Sequence, residues 1–181
     1  MNKLNHKGFT LVEVLAVIVI IGVLSGIAIP NVMTSINASK NSSEKILIDN
    51  IKTAAQSLYE EVDNKTELKD TTNNNIVIKS CKYVNSNDEE CDASQQNNVD
   101  CKYKRCIIEN IQLQTLVDNG FLKASDVKDN GNNNKLINSK TGEDIGECII
   151  TITKKVNIDD YSVSYKIDKV DNDTKCPSYG E

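Results

Sequence analysis

One glutamate stands inside a long apolar run near the start of the 181-residue chain. Glu13 follows Lys7 and Gly8, and the residues around it are apolar from Phe9 to Met33. A carboxylate at the centre of a bilayer costs about 2.5 to 3.5 kcal/mol even on lenient insertion scales. In an apolar medium we therefore predict that Glu13 forms an ion pair with a cation at similar depth. The alternative is that it lies near a membrane surface and stays hydrated.

Cysteine is the second residue type that offers chemistry. An even number of cysteines in an exported chain indicates a disulfide framework, and the sequence leaves the pairing open. Zinc is the competing interpretation, but there is no C-x-x-C pair and His6, the one histidine, lies before the apolar run. We therefore predict disulfides and no metal site. The six candidates all follow the apolar run: Cys81, Cys91, Cys101, Cys106, Cys148 and Cys176.

Catalysis and nucleic-acid binding are not expected. A nucleophile needs a base whose pKa lies near neutrality, and His6 is the only histidine. Adjacent carboxylates such as Glu60 and Glu61 are read as solvated surface charge. The chain has no glycine-rich phosphate loop. A net charge of -5 argues against a basic surface that binds nucleic acid directly. We predict that the chain is not an enzyme and takes no cofactor.

The residues that carry Glu13 predict one long helix. The apolar run of about 25 residues exceeds the roughly 20 needed to cross a bilayer, so we predict a transmembrane segment over about 9–31. Apolar residues then recur at spacings of three and four, which extends an amphipathic helix to residue 63. Gly22, Gly26 and Pro30 weaken helix continuity, so we expect a kink or a locally unwound stretch between Gly22 and Pro30.

The polar remainder predicts a small mixed head. We predict a short strand over Ile76–Lys79 and a helix over Ile107–Asn119, closed by Gly120. Ser125 is expected to cap a second short turn. Alternating patterns over Cys148–Thr153 and Tyr161–Asp168 predict a hairpin whose first strand is the more central and whose second has one wet face. The fold class is α+β: a long N-terminal helix packed on a small antiparallel sheet with disulfides.

The segment Lys7-Gly8-Phe9-Thr10-Leu11-Val12-Glu13, with the apolar run to Pro30, resembles the processing site of type IV prepilins and pseudopilins. The resemblance implies that a prepilin peptidase cleaves between Gly8 and Phe9 and N-methylates Phe9. It also implies that Glu13 meets the Phe9 amine of a neighbouring subunit. The expected organisation is a leader (1–8), a helix (9–63) and a pilin head (64–181). Many pilins carry one disulfide, so six cysteines depart from the usual head.

The resemblance also implies a function, partners and a location. We expect a structural subunit of a type IV pilus, used in adhesion or motility. Its partners would be other pilin subunits, prepilin peptidase, the cytoplasmic membrane and the assembly machinery. It would be held in the membrane with its head outside and would reach the cell surface after assembly. Two alternatives stay open: a pseudopilin of a secretion or DNA-uptake apparatus, and a secreted disulfide-stapled binding module with a Sec signal cut near Ala28.

Overall fold

A long helix, α1 (Leu11–Asp63), leads into a mixed α/β head. The computed structural model describes residues 10–64, 68–70, 75–92, 100–124, 134–170 and 173–179, without the side chains of 27–31. The chain divides into two units, Met1–Ser42 and Ser43–Glu181. The backbone is helical at Gly22, Gly26 and Pro30, so the expected unwound stretch is not present in α1. Flexibility of this stretch under load stays a prediction.

The predicted transmembrane segment is only partly covered by the structure. Among the residues that the structure describes, no helical stretch combines the length and the apolar character needed to span a membrane. The predicted span of about 9–31 includes Phe9 and the side chains of 27–31, which lie outside the described residues.

Two antiparallel sheets form the β part of the second unit. A small one pairs β1 (Leu68–Lys69) with β2 (Asn75–Ile76). The larger has the order β3-β4-β5-β6, with a short helix α2 (Leu113–Asp118) directly after β4. The predicted α+β fold and final hairpin are confirmed: β5 is flanked on both sides, and β6 lies at the edge. The larger sheet contains β3 (Ser80–Val84), β4 (Tyr103–Gln112), β5 (Ile149–Asn157) and β6 (Val163–Lys169).

The predicted helix over Ile107–Asn119 is wrong in its first half, because residues 107–112 continue β4 and only α2 is helical. A bulge between Ile108 and Ile111 explains the error. Asn110 adopts φ 59°, and this irregularity leaves both isoleucines buried although they are three residues apart. A bulge therefore produced an apolar spacing typical of a helix.

Two smaller expectations have different outcomes. The predicted strand over 76–79 is also wrong, because β2 ends at Ile76 and β3 begins only at Ser80. Gly120 follows the end of α2 with φ 77°, a left-handed conformation that suits a glycine after a helix. The turn expected at Ser125 lies outside the described residues.

The core of the second unit lies between the second half of α1 and the larger sheet. The amphipathic pattern of α1 is confirmed, since one face is buried while residues such as Lys52 and Glu60 are not. The helix contributes Ile51, Ala54, Ala55, Leu58, Tyr59 and Val62 to one cluster with the sheet residues Ile108, Ile111, Ile150, Ile152 and Ile167.

Three disulfides staple this unit, as the cysteine pattern predicted. Cys81–Cys106 joins β3 to β4, Cys91–Cys101 closes a short loop, and Cys148–Cys176 ties the C-terminal segment to the start of β5. Within the described ranges, no group of three or more His, Cys, Asp or Glu residues could hold a metal ion.

Candidate assembly site

Thr10 and Glu13 form a reciprocal cap at the start of α1. The Thr10 backbone N–H donates to Glu13 Oε2 at 3.3 Å, and the Glu13 N–H donates to Thr10 Oγ1 at 3.3 Å. The Thr10 hydroxyl also donates to Glu13 Oε2 at 3.4 Å. This is a capping box, and a Glu in the first turn also suits the helix dipole. The pattern Thr-x-x-Glu in the sequence indicates this capping box, which the charge of Glu13 alone does not predict.

The Phe9 amine, which is the cation predicted for Glu13, belongs to a residue outside the described part of the chain. Gly8 and Phe9, where cleavage and methylation are expected, lie outside the described residues. Glu13 itself is exposed in the single chain. Its carboxylate is thus accessible to a second molecule, and the pairing with the Phe9 amine of a neighbour stays a prediction.

The first unit exposes a large apolar surface on every side of α1. Large apolar side chains between Leu11 and Leu24 are exposed by 52% at Val17 to 80% at Leu11. Consecutive residues are exposed, so the surface encircles the helix and is not confined to one stripe. A contiguous apolar surface of this size marks a site that another apolar phase or protein covers.

Two glycines lie within this surface. A Cβ built at Gly22 or at Gly26 would meet nothing within 4 Å. A larger side chain at either position would therefore not clash with the rest of the chain. Small residues allow the backbones of neighbouring apolar helices to approach closely, which is consistent with a contact outside the chain.

In the second unit, Lys154 on β5 fixes the last turn of α1 to the sheet. Its Nζ lies 3.1 Å from Glu60 Oε1 and 2.9 Å from Asp63 Oδ2. The same Nζ lies 5.3 Å from the ring centroid of Tyr59, whose edge meets Tyr165. The Tyr165 hydroxyl donates to Glu60. Because this turn has three carboxylates, Glu60, Glu61 and Asp63, and no basic residue of its own, Lys154 supplies a positive charge at the negative end of the helix.

The electrostatics of this cluster follow from its burial. Burial disfavours the charged form of Lys154, but the hydrogen bonds and charges of Asp63 and Glu60 outweigh burial and raise its pKa. Burial, reinforced by the charges of Asp63 and Glu60, also raises the pKa of Tyr59. Local sequence patterns do not indicate this cluster, because β5 and α1 are distant along the chain.

Comparison with known proteins bears on the N-terminal segment. The family model described as "Prokaryotic N-terminal methylation motif" matches residues 3–29. The chain is also similar to the "Type IV major pilin protein PilA" of Myxococcus xanthus (strain DK1622). The two are 41% identical over 59 residues, which covers 33% of this chain and 27% of the relative. No solved structure matches the chain.

These matches agree with the fold. A methylation motif at the N-terminus, a helix that begins at Leu11 and a disulfide-stapled antiparallel head occur together in one chain. The N-terminal part of this chain is therefore similar to the methylation motif and to the N-terminal part of a type IV major pilin.

Proposed function

We propose that this chain is a structural subunit of a type IV pilus. It polymerises through the part of α1 that lies in the first unit of the chain. The observation that carries the proposal is the apolar surface around α1 between Leu11 and Leu24, which is exposed in the single chain. Burial of such surface against other copies gives about 25 cal/mol per Å² of apolar area. The head has its own core and does not need this surface to fold.

Removal of the leader would complete the assembly site. Cleavage between Gly8 and Phe9 frees an α-amino group near the start of the helix. This cation and Glu13 of a neighbouring subunit would neutralise each other in an apolar medium, where either charge alone is costly. The pair would also set the register as each subunit adds.

The same apolar segment would serve two environments in turn. Before assembly, residues 9–31 would hold the subunit in the cytoplasmic membrane with the head (64–181) outside. After extraction, the segment would pack on other pilin subunits in the filament. Lipid and a protein core are both apolar phases, so the segment stays out of water in each. Prepilin peptidase and the assembly machinery are the other partners that this route requires.

Mass spectrometry of the exported chain tests the proposal. We expect an N-terminus at Phe9 that carries one added methyl group. A start at Ile29 would instead support the secreted module with a Sec signal cut after Ala28. An intact leader of residues 1–8 would contradict both.

A pseudopilin is the second candidate, because the methylation motif at residues 3–29 does not separate pili from shorter assemblies. Electron microscopy with an antibody to the head distinguishes the two. Long labelled surface fibres support the pilus subunit, and label confined to the cell envelope supports the pseudopilin.

A further inference from the structure

The turn from β5 to β6 displays an apolar projection, which we call the tip. The tip consists of Ile158 and Tyr161 in the loop and Val163, the first residue of β6. Tyr161 is 77% exposed, Val163 48% and Ile158 40%. Single exposed apolar residues are common on protein surfaces, but three within six consecutive residues form a patch. An aromatic residue flanked by aliphatic ones is the usual composition of an interface anchor.

The loop that carries the tip is held by its own hydrogen bonds. The Ile158 N–H donates to the Lys102 carbonyl at 2.7 Å, and the Asn157 N–H donates to the Ser162 carbonyl at 2.9 Å. Asp159 pairs with Lys102 Nζ at 2.7 Å. Tyr161 adopts φ 57°, which bulky residues rarely do. These interactions order the backbone of the loop, and a preordered loop lowers the entropic cost of docking.

A groove elsewhere on the same unit is lined partly by apolar residues and is therefore complementary to the apolar tip. It has a volume of about 590 Å³ and lies between one face of α1 and the segment that follows α2. Ile46 is 60% exposed there, although it lies on the half of α1 that packs on the head. Lys123 adds a positive charge to the lining. The principal lining residues are Ile46, Leu47, Asn50, Thr53, Phe121 and Leu122.

The tip and the groove lie toward opposite ends of α1 in this unit. The groove uses α1 residues 43–54, whereas β5 meets Asp63 through Lys154, three residues before β5 ends. About 25 Å of helix separates Ile46 from Asp63 at 1.5 Å per residue. The tip follows the end of β5 and therefore lies beyond the last turn of α1.

We propose that the tip of one subunit docks into the groove of a second copy of this chain. The apolar tip matches the apolar part of the groove, and in the docked state Asp160, next to Tyr161, would lie opposite Lys123 in the groove lining. A projection and a recess at opposite ends form a head-to-tail contact that does not close on itself, as a filament requires. This inference rests on the proposed pilus function and identifies where successive heads meet.

Photo-crosslinking in native filaments tests the contact. Tyr161 is replaced by the aromatic crosslinker p-benzoylphenylalanine, and the control carries the same crosslinker at Val77, which is also exposed. After irradiation we expect multimers of the chain from the Tyr161 variant only, with the linkage mapped to α1 residues 43–54 or to 121–124. Linkage elsewhere, or to a different protein, overturns the proposal.

Filament counts by electron microscopy separate this inference from the proposed function. Filaments that form normally but give no linkage to the groove overturn the inference and leave the pilus function intact. Absence of filaments from the unaltered chain overturns both.

A charge exchange gives a second measurement that does not depend on crosslinking. We expect Lys123→Glu filaments to fragment several-fold faster under shear than unaltered filaments, and Asp160→Lys in the same chain to restore resistance. Failure of the exchange to restore resistance, with both variants folded, contradicts the contact between Asp160 and Lys123.

Discussion

At the scale of the residue, Glu13 combines two roles that a single substitution can separate. Its carboxylate caps α1 through Thr10, and we propose that its charge pairs with a neighbouring amine. Glutamine at this position can keep the reciprocal cap but has no charge. The comparison of Glu13→Gln with Glu13→Ala therefore distinguishes a cap from an ion pair.

We predict that Glu13→Gln and Glu13→Ala both abolish incorporation into filaments, because each removes the charge. If Glu13 acted only as a cap, the glutamine variant would keep the cap and be incorporated nearly normally. The alanine variant would then lose only about 1 kcal/mol of helix stability. The measurement is the ratio of chain in sheared filaments to chain in the membrane. Normal incorporation of the glutamine variant would refute the ion pair.

Lys154 is the residue whose loss should most weaken the junction of α1 and the sheet. Its side chain is 14% exposed and lies between Glu60 and Asp63. Lys154→Met leaves these two carboxylates unopposed at the negative end of a helix, so we predict a loss of about 1 to 3 kcal/mol in the free energy of unfolding.

Urea unfolding of the full chain in detergent measures this loss. Lys166→Met is the matched control, since Lys166 lies on β6 with a side chain that is 61% exposed and pairs with Asp168, which is also exposed. A surface pair of this kind contributes about 0 to 1 kcal/mol. Equal losses in the two variants would show that Lys154 has no special role.

At the scale of the element, the disulfides close loops of different lengths. Cys148–Cys176 spans a sequence separation of 28, whereas Cys91–Cys101 spans 10. Cys148 and Cys176 are also buried in the core cluster, and this bridge holds the segment that contains Tyr179.

We therefore predict that the paired change Cys148→Ala with Cys176→Ala destabilises the head more than Cys91→Ala with Cys101→Ala. Loop-closure entropy gives about 3.6 kcal/mol for the longer loop and about 2.8 kcal/mol for the shorter, and lost core packing increases the difference. Thermal unfolding of each pair tests the order. A larger loss from the shorter loop would contradict it.

β4 shows how one element can carry a misleading pattern. The buried isoleucines Ile108 and Ile111 have helical spacing only because the strand bulges at Asn110. Pairing with β5 holds both residues in a strand, since Ile108 lies opposite Ile152 and Ile111 lies opposite Ile150. Local periodicity alone cannot reveal such pairing, since the partners lie far away along the chain.

At the scale of the whole molecule, stability should fall in alkali. Burial raises the pKa of Tyr59 and of Tyr179, and the neighbouring carboxylates raise the pKa of Lys154 despite burial. Each group keeps its proton more tightly when folded, so its contribution is fully present below its unfolded pKa of 10.0 or 10.5. That contribution is lost as the pH rises toward the folded pKa.

We predict that the free energy of unfolding falls between about pH 10 and 11 by about 1.4 kcal/mol per pH unit for each such group. Tyr179→Phe should reduce this pH dependence by the contribution of one group, about 1.4 kcal/mol per pH unit. It should leave stability at neutral pH equal or higher, because among the described residues the buried Tyr179 hydroxyl has no hydrogen-bond partner. Urea titrations at pH 7 and pH 11 give both values, and an unchanged slope would refute the assignment to Tyr179.

The sequence by itself determined the features that depend on local pattern and composition. These are the helix that begins with the apolar run, the amphipathic face that includes Ile51 and Leu58, the final hairpin and the presence of disulfides. Each can be read locally because helix and strand periods recur within a few residues. The processing motif around Gly8 and Phe9 is local in the same sense, although its use stays a prediction.

Only the tertiary structure decided the features that join distant parts of the chain. The pairing of the cysteines, the bulge at Asn110, the place of Lys154 beside Asp63, and the tip and groove all depend on which strand lies next to which. Such contacts are fixed by packing and hydrogen bonding between segments that are far apart in sequence. Neighbouring residues therefore carry little record of them.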